Sequence, residues 1–216
     1  MNKALRDTPF DSDKILVTGA TGYLGALIVA SLLRQTQAEI VCITRDTHDR
    51  QSLLEPIIEE AEAQGGRWTP DLDIRVTHIH IPGNDLGALG QLLTQLVGVD
   101  EIVHCAGCLD YYDIAKLEQV NIGYTQQLLS LGHALSVKRF VYVSTAFSCG
   151  YRDEASAEHL LDEPPSDPTD YTRTKRQAER LVAESGLPFV VMRPSILIGT
   201  SDTGRYSGKR YGVYQQ

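Results

Sequence analysis

No apolar run in the 216 residues reaches the length of a membrane span, and the N-terminus, Met1-Asn-Lys-Ala-Leu-Arg-Asp7, lacks the apolar centre of a secretion signal. On these two absences the expected location is cytoplasmic. Positive charge is also in short supply. Twenty Lys and Arg stand against 28 Asp and Glu, and the formal charge of −8 argues against a nucleic-acid-binding surface. No internal repeat is visible, which excludes a solenoid, and the length suffices for one sizeable core. Cysteine is sparse. Of the four, Cys105 and Cys108 have the spacing of a redox pair, but no second pair exists to complete a zinc site. Cys105 ends a predicted strand, where a thiol serves as a small apolar filler. His78 and His80 alternate along another strand without a third ligand nearby, so no metal site is expected.

What is present is concentrated near the start. Ile15-Leu-Val17 reads as a buried strand, and Gly19, Gly22 and Gly25 follow at three-residue spacing before an apolar pattern of helical period begins. A glycine-rich turn from strand into helix brings backbone N–H groups and the helix N-terminus up to a phosphate. Gly19 permits the turn, Gly22 allows the backbone to approach a pyrophosphate, and Gly25 lets the helix lie close to the sheet. This is the pattern of a dinucleotide site.

Strands and helices then alternate. Glu39 to Arg45 is the second strand, Asp49 to Gln64 a helix in which Pro56 is a distortion unless it falls in the first turn, and Asp73 to Ile81 the third strand. Pro82-Gly-Asn-Asp85 turns into another helix reaching about Val97, and Asn84 or Asp85 is placed where an adenine would lie. Glu101 to Cys105 is the fourth strand, running into Ala106-Gly107, whose small size leaves room for a ribose and phosphate. A long helix is expected from Tyr112 to Leu135, a fifth strand from Arg139 to Ser144, an acidic Pro-rich loop from Asp153 to Pro168, a helix from Tyr171 to Ser185, and a sixth strand from Leu187 to Arg193. The alternation implies a doubly wound parallel α/β sheet with helices on both faces.

One further absence bears on the cofactor. NAD enzymes usually carry an acidic residue at the end of the second strand, and here that place falls at about Thr44, followed by Arg45. An arginine pairs with a 2′-phosphate, so NADP(H) is the expected cofactor, with NAD(H) as the alternative and Arg50 as a second candidate cation.

Tyr171-Thr-Arg-Thr-Lys175 sets a phenol and an ammonium one helical turn apart on one face. A nearby cation favours phenolate and is expected to lower the Tyr171 pKa towards a value useful for proton transfer. Tyr171 would hand a proton to a carbonyl oxygen, Lys175 would reach the cofactor ribose, and Thr145 would hydrogen-bond the substrate oxygen. A second match, Tyr112-Asp-Ile-Ala-Lys116, precedes the fifth strand, so Tyr112 is assigned to pocket lining or packing.

Thr18-Gly-Ala-Thr-Gly-Tyr-Leu-Gly25, His104-Cys-Ala-Gly107, Asn121, Ser144-Thr145, Tyr171 with Lys175, and Arg193-Pro-Ser195 together resemble the extended short-chain dehydrogenase/reductases over nearly the whole chain. Within them, Val143-Ser-Thr-Ala-Phe147 and the stretch from Arg193 to Gly204 look most like the thioester reductase and fatty acyl-CoA reductase branch, although Thr200 stands where that branch usually has Asp. The resemblance implies a Rossmann fold over residues 1–198. It also implies that 199–216 begin a substrate-binding region most of which is absent from these 216 residues. It implies NADPH-dependent reduction of a CoA- or carrier-bound acyl thioester to aldehyde or alcohol, with any carrier supplied by a separate protein and a homodimer left open. Thr145, Tyr171 and Lys175 inherit the catalytic roles. Gly19, Thr21, Gly22, Tyr23, Leu24, Gly25, Arg45, Asn84, Asp85, Ala106, Gly107, Lys175, Pro194 and Ser195 inherit cofactor binding. The competing readings are a nucleotide-sugar epimerase or dehydratase, a hydroxysteroid-type dehydrogenase, and a non-catalytic NADP(H)-binding regulator.

Overall fold

Six strands form one parallel sheet in the order β3-β2-β1-β4-β5-β6. The structure is a computed structural model and describes residues 12–44, 49–81, 92–153, 155, 158–160, 162–201 and 204–208. The strands are β1 (Lys14–Thr18), β2 (Glu39–Thr44), β3 (Val76–His80), β4 (Glu101–His104), β5 (Arg139–Val143) and β6 (Phe189–Met192). The helices are α1 (Tyr23–Gln35), α2 (Arg50–Ala63), the short α3 (Pro70–Ile74) and α4 (Ile114–Leu117), α5 (Tyr124–Leu135) and α6 (Asp170–Glu184). From β1 the chain moves outward to β3, then returns to the other side of β1 for β4. The reversal leaves a crevice beyond the carboxyl ends of β1 and β4, where such sheets bind ligands.

The core lies on both faces of the sheet. Ile15 and Val17 point to one face, with α1 and α2, and Leu16 points to the other, with α5 and α6. Burial on both faces explains why these strands read as continuous apolar runs rather than as alternations. Each fully buried large apolar side chain contributes roughly 1.5–3 kcal/mol.

Three elements depart from the sequence expectation. Residues 73–75 do not belong to β3. Thr69-Pro70-Asp71 starts a helix instead, with Pro at its first position, and Arg75 ends it. The Arg75 guanidinium donates to the carbonyls of Leu33, Thr36 and Ala38, satisfying groups left open at the end of α1 and in its link to β2. Pro56 lies well inside α2, beyond its first turn, and the helix continues through it. Leu53, Leu54 and Ile57 on the buried face hold that helix by packing. The predicted long helix begins at Ile114, with the Asp113 side chain accepting the Lys116 N–H. It then widens into a π-helical turn, Glu118–Gly123, before α5. The predicted turn and helix at 82–91 lie outside the described residues.

At the edge of the sheet remote from the crevice, Glu101 and Arg139 start adjacent strands in register. Their side chains form a two-pronged ion pair at 2.9 Å for both contacts, and Ser12 Oγ donates to the same carboxylate at 2.6 Å. The arginine and glutamate side chains are only 7% and 5% exposed. Removing one partner of a buried pair strands the other charge. Arg139→Met is therefore expected to lose about 3–5 kcal/mol in urea denaturation, and the double variant Glu101→Leu/Arg139→Met to regain most of it.

Candidate active site

The glycine turn is built by backbone contact. Gly19 has φ +77°, and a Cβ there would lie 2.6 Å from the Ala106 nitrogen. The ends of β1 and β4 thus touch through main chain, which fixes Ala106 beside the turn. A Cβ on Gly25 would collide with the Gly19 carbonyl, so α1 can start this close to the sheet only from glycine. Gly22 is the N-cap of α1, no side chain caps the helix, and its first turn carries no acidic residue. A Cβ at Gly22 would meet only the Gly19 carbonyl, at 3.5 Å. The first-turn N–H groups and the helix dipole are therefore arranged to favour an anion, and the cradle fits a dinucleotide pyrophosphate. Thr21, Tyr23 and Leu24 lie in the same turn. The Tyr23 ring meets Tyr206 edge-on at 4.6 Å, and its hydroxyl donates to the Ile198 carbonyl at 3.4 Å.

Beneath the turn runs a buried polar chain whose direction can be assigned. Thr125 Oγ1 donates to the Asn121 carbonyl at 2.7 Å, so its lone pairs face His104 Nε2 at 3.0 Å, which must carry the proton. Nδ1 then accepts from Thr18 Oγ1 at 2.7 Å, and that oxygen in turn accepts the Ala106 N–H at 3.3 Å. Burial, aided by the Lys175 charge, pushes the His104 pKa well below its ordinary value, so the ring stays neutral. The π-helical turn rotates Asn121 into the interior. There its Oδ1 accepts the Cys108 N–H at 2.8 Å and its Nδ2 donates to Thr174 Oγ1 at 3.1 Å. A Cβ on Gly107 would lie 3.4 Å from that Oδ1 and 3.9 Å from Lys175 Nζ, so Gly107 borders both.

Thr145 follows β5 and caps the 3₁₀ turn Ala146–Cys149, accepting the Phe147 N–H at 3.3 Å. The Ala146 N–H donates to the Pro194 carbonyl at 2.9 Å, which sets Pro194 beside Thr145, while Ser195 is exposed. Helix α6 is started by Thr169 and Thr172 in a reciprocal cap, so its inner face presents Tyr171, Lys175 and Glu179 in successive turns. Thr145 is the neighbour that acts to lower the Tyr171 pKa, and the Tyr171 ring meets Tyr111 edge-on at 5.3 Å. Lys175 Nζ donates to the Val143 carbonyl at 2.6 Å and lies 4.2 Å from the centre of the Tyr142 ring.

The electrostatics correct one expectation. The Tyr171 pKa is raised, not lowered, because burial outweighs everything else, Tyr111 and Cys105 add to the rise, and only the Thr145 hydrogen bond opposes it. Burial instead brings Lys175 down to about 8, opposed by Cys105 and Glu179. Burial penalises the charged form of each group, so it raises the phenol and lowers the ammonium, and no Lys175 charge offsets the rise at Tyr171.

Tyr112 is a second correction. Its ring is 98% exposed and neither packs nor lines a buried pocket, while Lys116 pairs with Asp110 at 3.9 Å. Arg50 donates to the Val76 and Asp73 carbonyls and to the Asp73 carboxylate, joining α2 to the start of β3. Thr44 is bound to His78 at 2.6 Å. Arg45, Asn84 and Asp85 lie outside the described residues. The four cysteines are free thiols, and burial pushes Cys105 up to about 11 and Cys42 up to about 12. No metal-binding cluster and no helix long and apolar enough to cross a membrane occur among the described residues.

Sequence reasoning passed over Glu179. It is fully buried and accepts from Ser144 Oγ and from Arg193, whose Nε lies 3.0 and 3.2 Å and whose Nη2 lies 2.6 Å from its oxygens. The available signal was its place one turn beyond Lys175.

A glycine turn at the crevice, with a Thr, a Tyr and a Lys gathered beyond the end of β5, defines a dinucleotide-binding domain of the extended short-chain dehydrogenase/reductase type. The chain belongs to the male sterility protein family of NAD-binding domains, whose model matches residues 17–215. It is 30% identical over 207 residues to nonribosomal peptide synthetase 5 of Gibberella zeae, covering 88% of this chain and 2% of that protein. It is 24% identical to fatty acyl-CoA reductase 2 of Bos taurus, covering 88% of this chain and 44% of that one. Among solved structures, the terminal R domain from the myxalamid PKS-NRPS biosynthetic pathway superposes with a TM-score of 0.75 at 28% identity, covering 89% of this chain and 51% of that one. The chain therefore spans about half, or far less, of the proteins it matches.

Because Gly25 touches the Gly19 carbonyl, Gly25→Ala must displace the turn. The expected outcome is a loss of NADPH and NADH affinity alike, on the order of tenfold or more, read by nucleotide fluorescence titration.

Proposed function

We propose that this chain carries out NADPH-dependent reduction of acyl thioesters, on CoA or on a carrier protein, to aldehyde or alcohol. The observation that carries the reading is the grouping of Thr145, Tyr171 and Lys175 beyond the end of β5, on the same sheet edge as the glycine turn. The names of the relatives, a fatty acyl-CoA reductase and a nonribosomal peptide synthetase among them, support thioesters as the substrate class. Residues 1–198 form the cofactor domain in this reading, and 199–216 belong to a substrate-binding region.

The residues divide the work as follows. The turn from Gly19 to Gly25 binds the pyrophosphate, Ala106 and Gly107 leave space for the ribose, and Lys175 holds the ribose hydroxyls. When bound there, NADPH would supply the hydride for the thioester carbonyl carbon. Thr145 Oγ1 orients the carbonyl oxygen, and Tyr171 Oη gives that oxygen its proton. Collapse of the resulting hemithioacetal breaks the C–S bond, releasing thiol and aldehyde. The raised Tyr171 pKa suits this direction, since reduction needs the protonated phenol and burial keeps it so at neutral pH. Preference for NADPH is assigned to Arg45, at the end of β2 where Thr44 replaces the carboxylate expected of an NAD enzyme.

The direct test is NADPH oxidation with a panel of acyl-CoA and carrier-bound thioesters, followed by product identification. Aldehyde or alcohol bears the reading out, and NADPH binding without reaction of any thioester overturns it. Tyr171→Phe is expected to lower turnover by about a thousandfold with nucleotide affinity nearly unchanged. Arg45→Ala is expected to weaken NADPH by about tenfold or more while sparing NADH, and equal losses for the two nucleotides remove Arg45 from the 2′-phosphate site.

A further inference from the structure

Glu179 is a carboxylate without solvent exposure, placed one helical turn beyond Lys175 on α6. Its ligands come from two other elements: Ser144, immediately before Thr145 at the end of β5, and Arg193, immediately after β6. Arg193 is itself tied to the His159 carbonyl at 3.0 Å. The ends of β5 and β6 are also joined by main chain, since the Ser144 N–H donates to the Met192 carbonyl at 2.7 Å. One carboxylate thus fastens the helix that carries Tyr171 and Lys175 to the strand end that carries Thr145. A buried charge costs stability unless fully paired, so a hydrophobic side chain here would fill the space without fixing this geometry.

We propose that Glu179 is a positioning residue for the reduction, holding Ser144-Thr145 in register with Tyr171 and Lys175 and keeping a negative charge beside the Lys175 ammonium. The groups around Lys175 come from each neighbouring element: His104 and Cys105 at the end of β4, Tyr142 on β5, and Tyr171 and Glu179 on α6, with Arg193 behind Glu179. His104 is neutral throughout the working range, and the Cys105, Tyr142 and Tyr171 protons are held by burial. Of these groups, Lys175, brought down to about 8, is the one that changes charge between neutral and mildly alkaline pH. Glu179 opposes that fall, so replacing its charge leaves Arg193 without its ion-pair partner and Lys175 without a nearby negative charge.

Lys175 must be protonated to hold the ribose, so NADPH affinity is lost as pH rises through its pKa, and removing the Glu179 charge moves that loss to lower pH. The experiment is NADPH binding by fluorescence titration from about pH 6 to about 9.5 for the parent chain, Glu179→Gln and Glu179→Asp, with melting temperatures recorded for each. The expected result is an alkaline midpoint lowered by about one pH unit in Glu179→Gln and restored in Glu179→Asp. A folded Glu179→Gln protein with the parent midpoint overturns the proposal. Should Glu179→Gln not fold, Ser144→Ala decides: a fall in kcat of about tenfold at unchanged NADPH affinity is expected, and an unchanged kcat overturns the positioning role. The kcat arm rests on the reductase reading. The binding arm does not, so failure of thioester turnover and failure of this inference give different results.

Discussion

Main-chain contact at the crevice is the constraint on which the rest depends. Gly19 lies against Ala106 and Gly25 against the Gly19 carbonyl, so β1, β4 and α1 converge with no side chain between them. That convergence sets the position of the helix N-terminus, and hence where a pyrophosphate can bind. It also places Ala106 and Gly107 at the mouth, with Lys175 and Asn121 beyond Gly107. Any side chain inserted here would move three elements at once.

Around this bare centre the protein is wired by polar groups that packing alone would not orient. Thr18, His104, Thr125 and Asn121 form a chain in which each proton has a defined acceptor, so the polar atoms along it lose little by leaving water. The π-helical turn is what brings Asn121 into that chain, at the cost of a regular helix. On the other side, Glu179 and Arg193 do the same for the ends of β5 and β6. Arg176, paired with Asp167 and Glu163, fastens the acidic loop to α6. Two networks of opposite character thus meet at Lys175, one neutral and one ionic.

The sheet was legible because its strands are short apolar runs separated by strong signals: the glycines after β1, the Gly65-Gly66 pair after α2, the small residues after β4. Errors arose where a local signal competed with the pattern. Thr69-Pro70-Asp71 starts a helix that took residues 73 and 74 from the predicted third strand. Pro56, expected to distort its helix anywhere beyond the first turn, lies inside α2, whose buried face is held by packing. Tyr112 was assigned to pocket lining or packing because its Tyr-x-x-x-Lys match precedes the fifth strand, but it belongs to a turn that faces water.

By itself the sequence determined the order of elements, the glycine turn and the Tyr171–Lys175 spacing on one helix, since each rests on spacing within a few residues and spacing is a local property. What only the tertiary structure decided was the environment of those side chains. The Tyr171–Lys175 spacing suggested a phenol acidified by its neighbour, whereas burial among Tyr111, Cys105 and Thr145 keeps the phenol protonated and lowers the lysine instead. Glu179, Ser144 and Arg193 are far apart in the chain and meet only when α6 lies across β5 and β6. Desolvation and charge pairing depend on which residues are brought together from distant parts of the chain, and no local spacing contains that information.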